Sequence, residues 1–214
     1  MSDCDCSIEI KDKSQNGVLI KLLTINAIMF VVEFLIGWYA ESTGLIADAM
    51  DMLADAIVYG IGLYVVGKGI EKKANAALIS GWFQLILALL ILVDIVRRII
   101  TGSDPASFLM MGVGVMALIA NVICLKLIEQ HRYGEVHMRA SWIFSKNDVI
   151  ANSGVILGGV MVWLFDSRWP DIVIGFVIAL VIMRGAKHII QDARQELKAA
   201  KKPCSSASDC CNPE

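Results

Sequence analysis

The chain has 214 residues, 57% hydrophobic and 19% charged, with a net charge of -2. That apolar share exceeds the usual composition of a soluble domain, and so small a charge gives no electrostatic case for a nucleic-acid partner. Apolar runs read as membrane spans at roughly 18–20 residues, and six occur, near 19–39, 44–67, 77–99, 107–128, 142–165 and 170–190. The expected fold is an all-α membrane protein. Its six-transmembrane-helix bundle covers 19–190 and lies in a lipid bilayer, with Cys-containing tails at 1–18 and 191–214.

Lys and Arg set the orientation, because they collect on the cytoplasmic side of a membrane. Fifteen of the 19 fall in the N-terminal stretch, the second and fourth loops and the C-terminal end. Arg97, Arg98 and Arg168 fall on the other side, and Lys146 lies within a span. Both termini are therefore expected in the cytoplasm of a cell whose plasma (inner) membrane holds the protein. Met1 to Ser14 is polar and acidic, so it does not read as a signal peptide, and residues 1–18 read as disordered.

Taken in order, the first span holds one acid, Glu33, with two readings: a contact inside the bundle, or a proton or metal relay. The second span opens on Gly44-Leu45-Ile46-Ala47-Asp48 and carries carboxylates at 48, 51 and 55. Positions three and four apart share a helix face. Each ionisable group at mid-membrane costs about 2.5–3.5 kcal/mol on insertion scales, so three on one stripe call for a compensating cation. Lys68, Lys72 and Lys73 in the following loop read as a cytoplasmic anchor. The third span ends in Asp94-Ile95-Val96-Arg97-Arg98, an interfacial ion pair by spacing.

In the fourth span Asn121 reads as a helix-to-helix contact and Cys124 as a small packing residue. His131 and His137 fall in a charged loop over 128–141 and read as solvated. The fifth span carries a second polar stripe, Asp148 and Asn152, followed by Gly154, Gly158 and Gly159, which permit close helix approach. Lys146 reads as snorkelling to the interface. Helices two and five can then oppose Asp51 and Asp55 to Asp148, with Asn152 or water completing the shell. Asp48 is a neighbour of that site, as a structural partner or a way-station. Oxygen donors of this kind bind divalent first-row metals, and the same carboxylates can take up protons. A membrane-embedded Mg-dependent transferase using the Asp-rich motif is the alternative, but it needs basic groups beside the acids to hold a phosphate, and none flank Asp51 or Asp55.

Five of the six cysteines lie in the tails, at 4, 6, 204, 210 and 211. In a reducing compartment a disulfide framework is not expected. Thiolates select soft metals, so these tails read either as capture sites for a soft ion or as incidental thiols.

Across nearly all of 19–190 the sequence resembles the cation diffusion facilitator family of divalent-metal efflux transporters. The resemblance rests on Gly44-Leu45-Ile46-Ala47-Asp48 before Asp51 and Asp55, on Val136-His137-Met138-Arg139-Ala140-Ser141-Trp142 leading to Asp148, on Ser153-Gly154-Val155-Ile156, and on Trp169-Pro170-Asp171. It implies a secondary transporter rather than an enzyme, a six-helix cation-efflux transmembrane domain, export of a zinc, cobalt or cadmium class cation against protons, and a site built from a pair on helix two and a pair on helix five. Asp51, Asp55 and Asp148 match site positions. The family's zinc transporters usually carry His where this chain has Phe144, which cannot ligate. The metal is therefore left open among Zn, Co, Cd, Fe and Mn, in an all-oxygen site with Asn152 or a three-ligand site completed by water. Most relatives also carry a cytoplasmic C-terminal domain. Its absence here implies a short form whose homodimer would form through the membrane helices.

Overall fold

A computed structural model of the chain describes residues 3–39, 43–101, 107–167 and 169–200, without the side chains of 3–11, 37, 39, 43–48, 107–110, 113 and 171. The described residues form six α-helices: α1 (Asp3–Tyr39), α2 (Thr43–Val65), α3 (Ile70–Thr101), α4 (Ser107–Ile128), α5 (Val136–Phe165) and α6 (Trp169–Ala200). A single 3₁₀ turn, Glu129–His131, follows α4. Two turns use left-handed backbone: Gly67 (φ 72°) after α2 and Asp166 (φ 47°) after α5. Gly67 tolerates that conformation without a Cβ penalty, and Asp is among the residues that adopt it most readily. Pro170 sits in the first turn of α6, where its missing N–H breaks no helical bond.

Among the described residues five helices are long and apolar enough to cross a membrane: those containing Asp12–Ile36, Ile70–Thr101, Gly114–His131, Val136–Phe165 and Ile172–Ala200. The sixth helix, α2, has described side chains only over 49–65, so it stands outside that count.

The helices sort into two groups. α1 packs along α2, α4 along α5, and the pairs meet through α1–α4 and α2–α5 contacts. α3 and α6 form the most extensive pair and reach the rest mainly through α5. In the first group Val18, Leu19 and Leu22 of α1 bury against Tyr59 of α2, Cys124 and Ile128 of α4 and Met138 of α5. In the second, Ala74 and Ala77 of α3 and Ile189 and Ala193 of α6 bury against Val136 and Ala140 of α5. The outer faces are apolar too: Ile86, Leu89, Leu90 and Val93 of α3 and Val173, Phe176, Val177 and Leu180 of α6 are all exposed. A helix that is apolar all round belongs in lipid.

Small residues set the helix separations. The ideal Cβ of Gly81 would lie 2.8 Å from Ile190 Cγ1 and 3.2 Å from the Ile190 backbone nitrogen. Gly81→Ala must therefore push α3 from α6. It is expected to cost about 1–3 kcal/mol, as overpacking does, and to lower Tm in detergent. Gly112→Ala, with nothing within 4 Å of its Cβ, is the control expected to leave Tm unchanged or higher.

Three ion pairs between separate elements lie at one end. Lys73 at the start of α3 donates to Glu135 just before α5 at 2.8 Å. Arg139 bridges α5 to Asp192 at 2.8 Å and Glu196 at 2.9 Å on α6. Gly67 lies beside Asp12 of α1. The four basic segments of the sequence thus share one end of the bundle. Beyond α3's apolar stretch Asp94 accepts from Arg97 and Arg98 at 2.6 Å each, as its spacing foretold.

Three readings change. The stretch from Asp3 to Val18 is helical and continuous with the first span, because no Pro interrupts it and the apolar turns beyond extend it. Lys73 is buried in its pair with Glu135 rather than a plain surface anchor. His137 is 2% exposed in the first turn of α5, so it is not a solvated loop residue. α5 begins six residues earlier than its apolar run at 142, because helix α6 covers that turn. Cys204, Cys210 and Cys211 lie outside the described residues, as do the side chains of Cys4 and Cys6.

Candidate metal centre

Polar side chains inside the bundle are confined to inner helix faces, and one group lies where α1, α2, α4 and α5 meet. Asp55 and Tyr59, one turn apart on α2, are fully buried. On α5 Ser141, Ser145, Asp148 and Asn152 are all buried, at helical intervals of three or four. Asn26 on α1 and Asn121 and Cys124 on α4 close the ring, each at most 1% exposed.

Helix register explains the convergence. Leu23 packs on Gly60 and Leu19 on Gly62, so α1 runs antiparallel to α2 with Asn26 level with the Asp55 turn. Ile156 packs on Gly114 and Met111 on Gly159 between α5 and α4. Extending that register brings Asn121 and Cys124 beside the turn of Asp148. Extending the first outward puts Glu33, also fully buried, about level with Ala49.

Asp55 and Asp148 face each other across the α2–α5 contact within hydrogen-bonding reach. Neither Asp55 oxygen accepts a hydrogen bond, nor does Asp148 Oδ2. The charges that act on Asp55 are those of Asp148 and Asp51, all negative. Two or three like charges in a low-dielectric interior repel one another, and burial without partners carries its own cost. A divalent cation answers both.

Of the residues singled out from sequence, the structure therefore brings together Asp55 and Asp148, with half-buried Asp51 within electrostatic range of both. Asn152 is buried one turn beyond Asp148 with its Nδ2 unpartnered. Among the described residues no three of His, Cys, Asp and Glu converge closely enough to coordinate one ion. The side chain of Asp48 lies outside the described residues. Phe144, 1% exposed, occupies the turn before Asp148. Lys146 is exposed, with its Nζ 5.4 Å from the centre of the Trp142 ring.

Sequence reading missed Asn26, Tyr59 and Ser145. Tyr59 was legible in principle, since 51, 55 and 59 repeat at four-residue steps. Ser145 likewise precedes Asp148 by three. Asn26 stands in an otherwise apolar run, and only the fold shows what it faces.

The model of the cation efflux transmembrane domain matches residues 19–198. A cadmium, cobalt and zinc/H(+)-K(+) antiporter of Bacillus velezensis is 23% identical over 192 residues, 81% of this chain and 61% of that protein. The zinc transporter ZitB of Yersinia pestis is 21% identical over 87% of this chain and 64% of its own length. A vacuolar zinc transporter of Saccharomyces cerevisiae is 29% identical over 56% of this chain and 30% of its own. The chain thus spans less than two thirds of the length of these relatives. A domain match over most of the chain, on a helical bundle with acidic α2 and α5 stripes facing each other, leads to one conclusion: the chain belongs to the cation efflux family.

Proposed function

We propose that the protein exports a divalent transition-metal cation of the zinc, cobalt and cadmium class from the cytoplasm, exchanging it for protons. The observation that carries this reading is the Asp55–Asp148 pair, buried face to face with only Asp51 as a further charge acting on it. The cation would be held between α2 and α5 by these two carboxylates, with Asp51 drawn in from the side and Asn152 or water supplying further donors. Asp48 and Glu33 lie toward the other end and would serve the outward path. Protons replacing the metal on the same carboxylates would return the site to its inward state. Relatives named as zinc transporters and as a cadmium, cobalt and zinc antiporter support this class of cargo. Nothing favours the Mg-dependent transferase.

The same reading puts the protein in the plasma membrane with both termini in the cytoplasm, supported by the basic residues gathered at one end. It also assigns a homodimer through the transmembrane helices. Cross-linking in native membranes is expected to give a dimer band that persists when the C-terminal tail is removed; monomer alone removes that assignment. For transport, the protein in sealed vesicles is expected to move Zn²⁺, Co²⁺ or Cd²⁺ down an imposed metal gradient while an internal pH dye reports proton counterflow. Metal movement without a proton signal would reject the antiport half of the proposal.

A further inference from the structure

A second buried polar group lies on another face of α5, toward α3 and α6. α3 and α5 run parallel from the end where Lys73 meets Glu135, and alanines line their seam. Ala77 and Ala140 share one buried cluster, and Ala151 packs against Ala88 in another. Gln84 and Asn147 stand between these levels, separated in sequence by the same interval as each alanine pair. They also keep helical spacing, seven residues beyond Ala77 and Ala140 and four before Ala88 and Ala151. That register sets Gln84 and Asn147 facing each other across the seam. Both are buried, at 1% and 5% exposed. α6 closes the layer, because Asn147 Nδ2 lies against Gly185 in the place a Cβ would take. Among the described residues neither Gln84 Oε1 nor Asn147 Nδ2 has a hydrogen-bond partner. One is an acceptor and the other a donor, and buried amide atoms left unpaired are costly.

We infer that Gln84 and Asn147 form a clasp between α3 and α5, open in this conformation and closed when α5 turns, which makes them positioning residues for Asp148. The inference rests on the proposed transport role of the Asp55–Asp148 pair. Ser141 Oγ packs on Gly62 between α5 and α2, and the same antiparallel register sets Asp148 level with Asp55. Adjacent helix residues point about 100° apart, so Asp148 looks to α2 while Asn147 looks to α3 and α6. A rotation of α5 about its axis therefore moves the amide and the carboxylate together. The open clasp belongs to the setting in which Asp148 faces Asp55. Closing it holds a second setting of the same carboxylate, as a carrier that presents its cargo to two sides requires. A single polar layer in an apolar seam fixes the register of packed helices, and Gly185 gives the amide room to swing.

The test uses the full chain in sealed vesicles and reads the maximal rate and KM of Zn²⁺ or Cd²⁺ uptake, whichever the parent carries faster. Gln84→Met and Asn147→Ala are each expected to lower the maximal rate roughly three- to tenfold, the scale of one hydrogen bond between membrane helices. KM is expected to change less than about twofold, the mark of a lost turnover step rather than lost binding. The double variant is expected to be no slower than either single one, because the two residues act as a unit. Exchanging the pair, Gln84→Asn with Asn147→Gln, keeps donor and acceptor and is expected to recover most of the rate. Gln84→Met removes an unpaired polar atom and is expected to keep or raise Tm in detergent. Full rate in the single variants, losses that multiply in the double one, no recovery on exchange, or slow transport with a lowered Tm would each overturn the clasp and leave the cation site standing. Either single variant can be read alone, so one that fails to fold leaves the other to decide. No uptake by the parent, or full uptake by Asp55→Asn, would overturn the cation site itself.

Discussion

Asp55→Asn and Asp148→Asn are each expected to abolish metal export and, in the same purified proteins, to raise thermal stability. The two effects have one cause. Asn keeps the shape of Asp but carries no charge, so it removes a ligand the cation needs and also a buried charge beside other carboxylates, while its amide can still hydrogen-bond the facing Asp. Loss of a supporting contact behind a ligand costs about 10–100-fold in metal affinity, and loss of the ligand itself is expected to cost more. Relief of the repulsion should stabilise the metal-free fold by about 1 kcal/mol, or roughly 2–4 °C in Tm for a chain of this size. Functional sites are where stability is given up in this way. Asp51→Asn is expected to impair transport less and to leave Tm nearly unchanged, because Asp51 is only half-buried. Export is read as metal accumulation in metal-sensitive cells, and stability by thermal unfolding in detergent. If these carboxylates were ordinary helix-to-helix contacts, both neutral variants would lower Tm and leave export intact.

The bundle was legible in the sequence because lipid leaves few solutions. Long apolar runs must be helices; five of the six runs fall within the observed helices, and the run at 44–67 ends just past α2. The polar ends were less legible. His137 sits in a charged stretch, so local composition reads it as solvated, yet the start of α5 packs under α6 and buries it. The opposed acids were readable from spacing on α2 and α5 because the cost of burying them is intrinsic to the residues. Asn26, Tyr59, Ser145 and Cys124 carry no such penalty individually. Each is ordinary in a membrane helix, and only the register of α1 and α4 on α2 and α5 makes them one layer.

Phe144→His is expected to shift cargo preference toward Zn²⁺. Phe144 lies four residues before Asp148, the interval that places two side chains one above the other on a helix, and it is 1% exposed. An imidazole there can offer a nitrogen to an ion held by Asp148, and zinc favours four-coordinate sites built from nitrogen, sulfur and oxygen donors. A rise of about tenfold in Zn²⁺ affinity relative to Mn²⁺ is expected, since imidazole suits zinc and carboxylate suits manganese. The substitution also trades a buried apolar ring for a smaller polar one, so the metal-free protein should lose about 1–3 kcal/mol, in the usual range for burying an unsatisfied polar group. Zinc should restore that loss, because a ligand that binds only the folded state stabilises it. The decisive measurement is thus Tm with and without Zn²⁺. A variant destabilised equally in both conditions would show that the side chain at 144 points past the cation. A variant rescued by Zn²⁺ but not by Mn²⁺ would make position 144 a determinant of cargo choice.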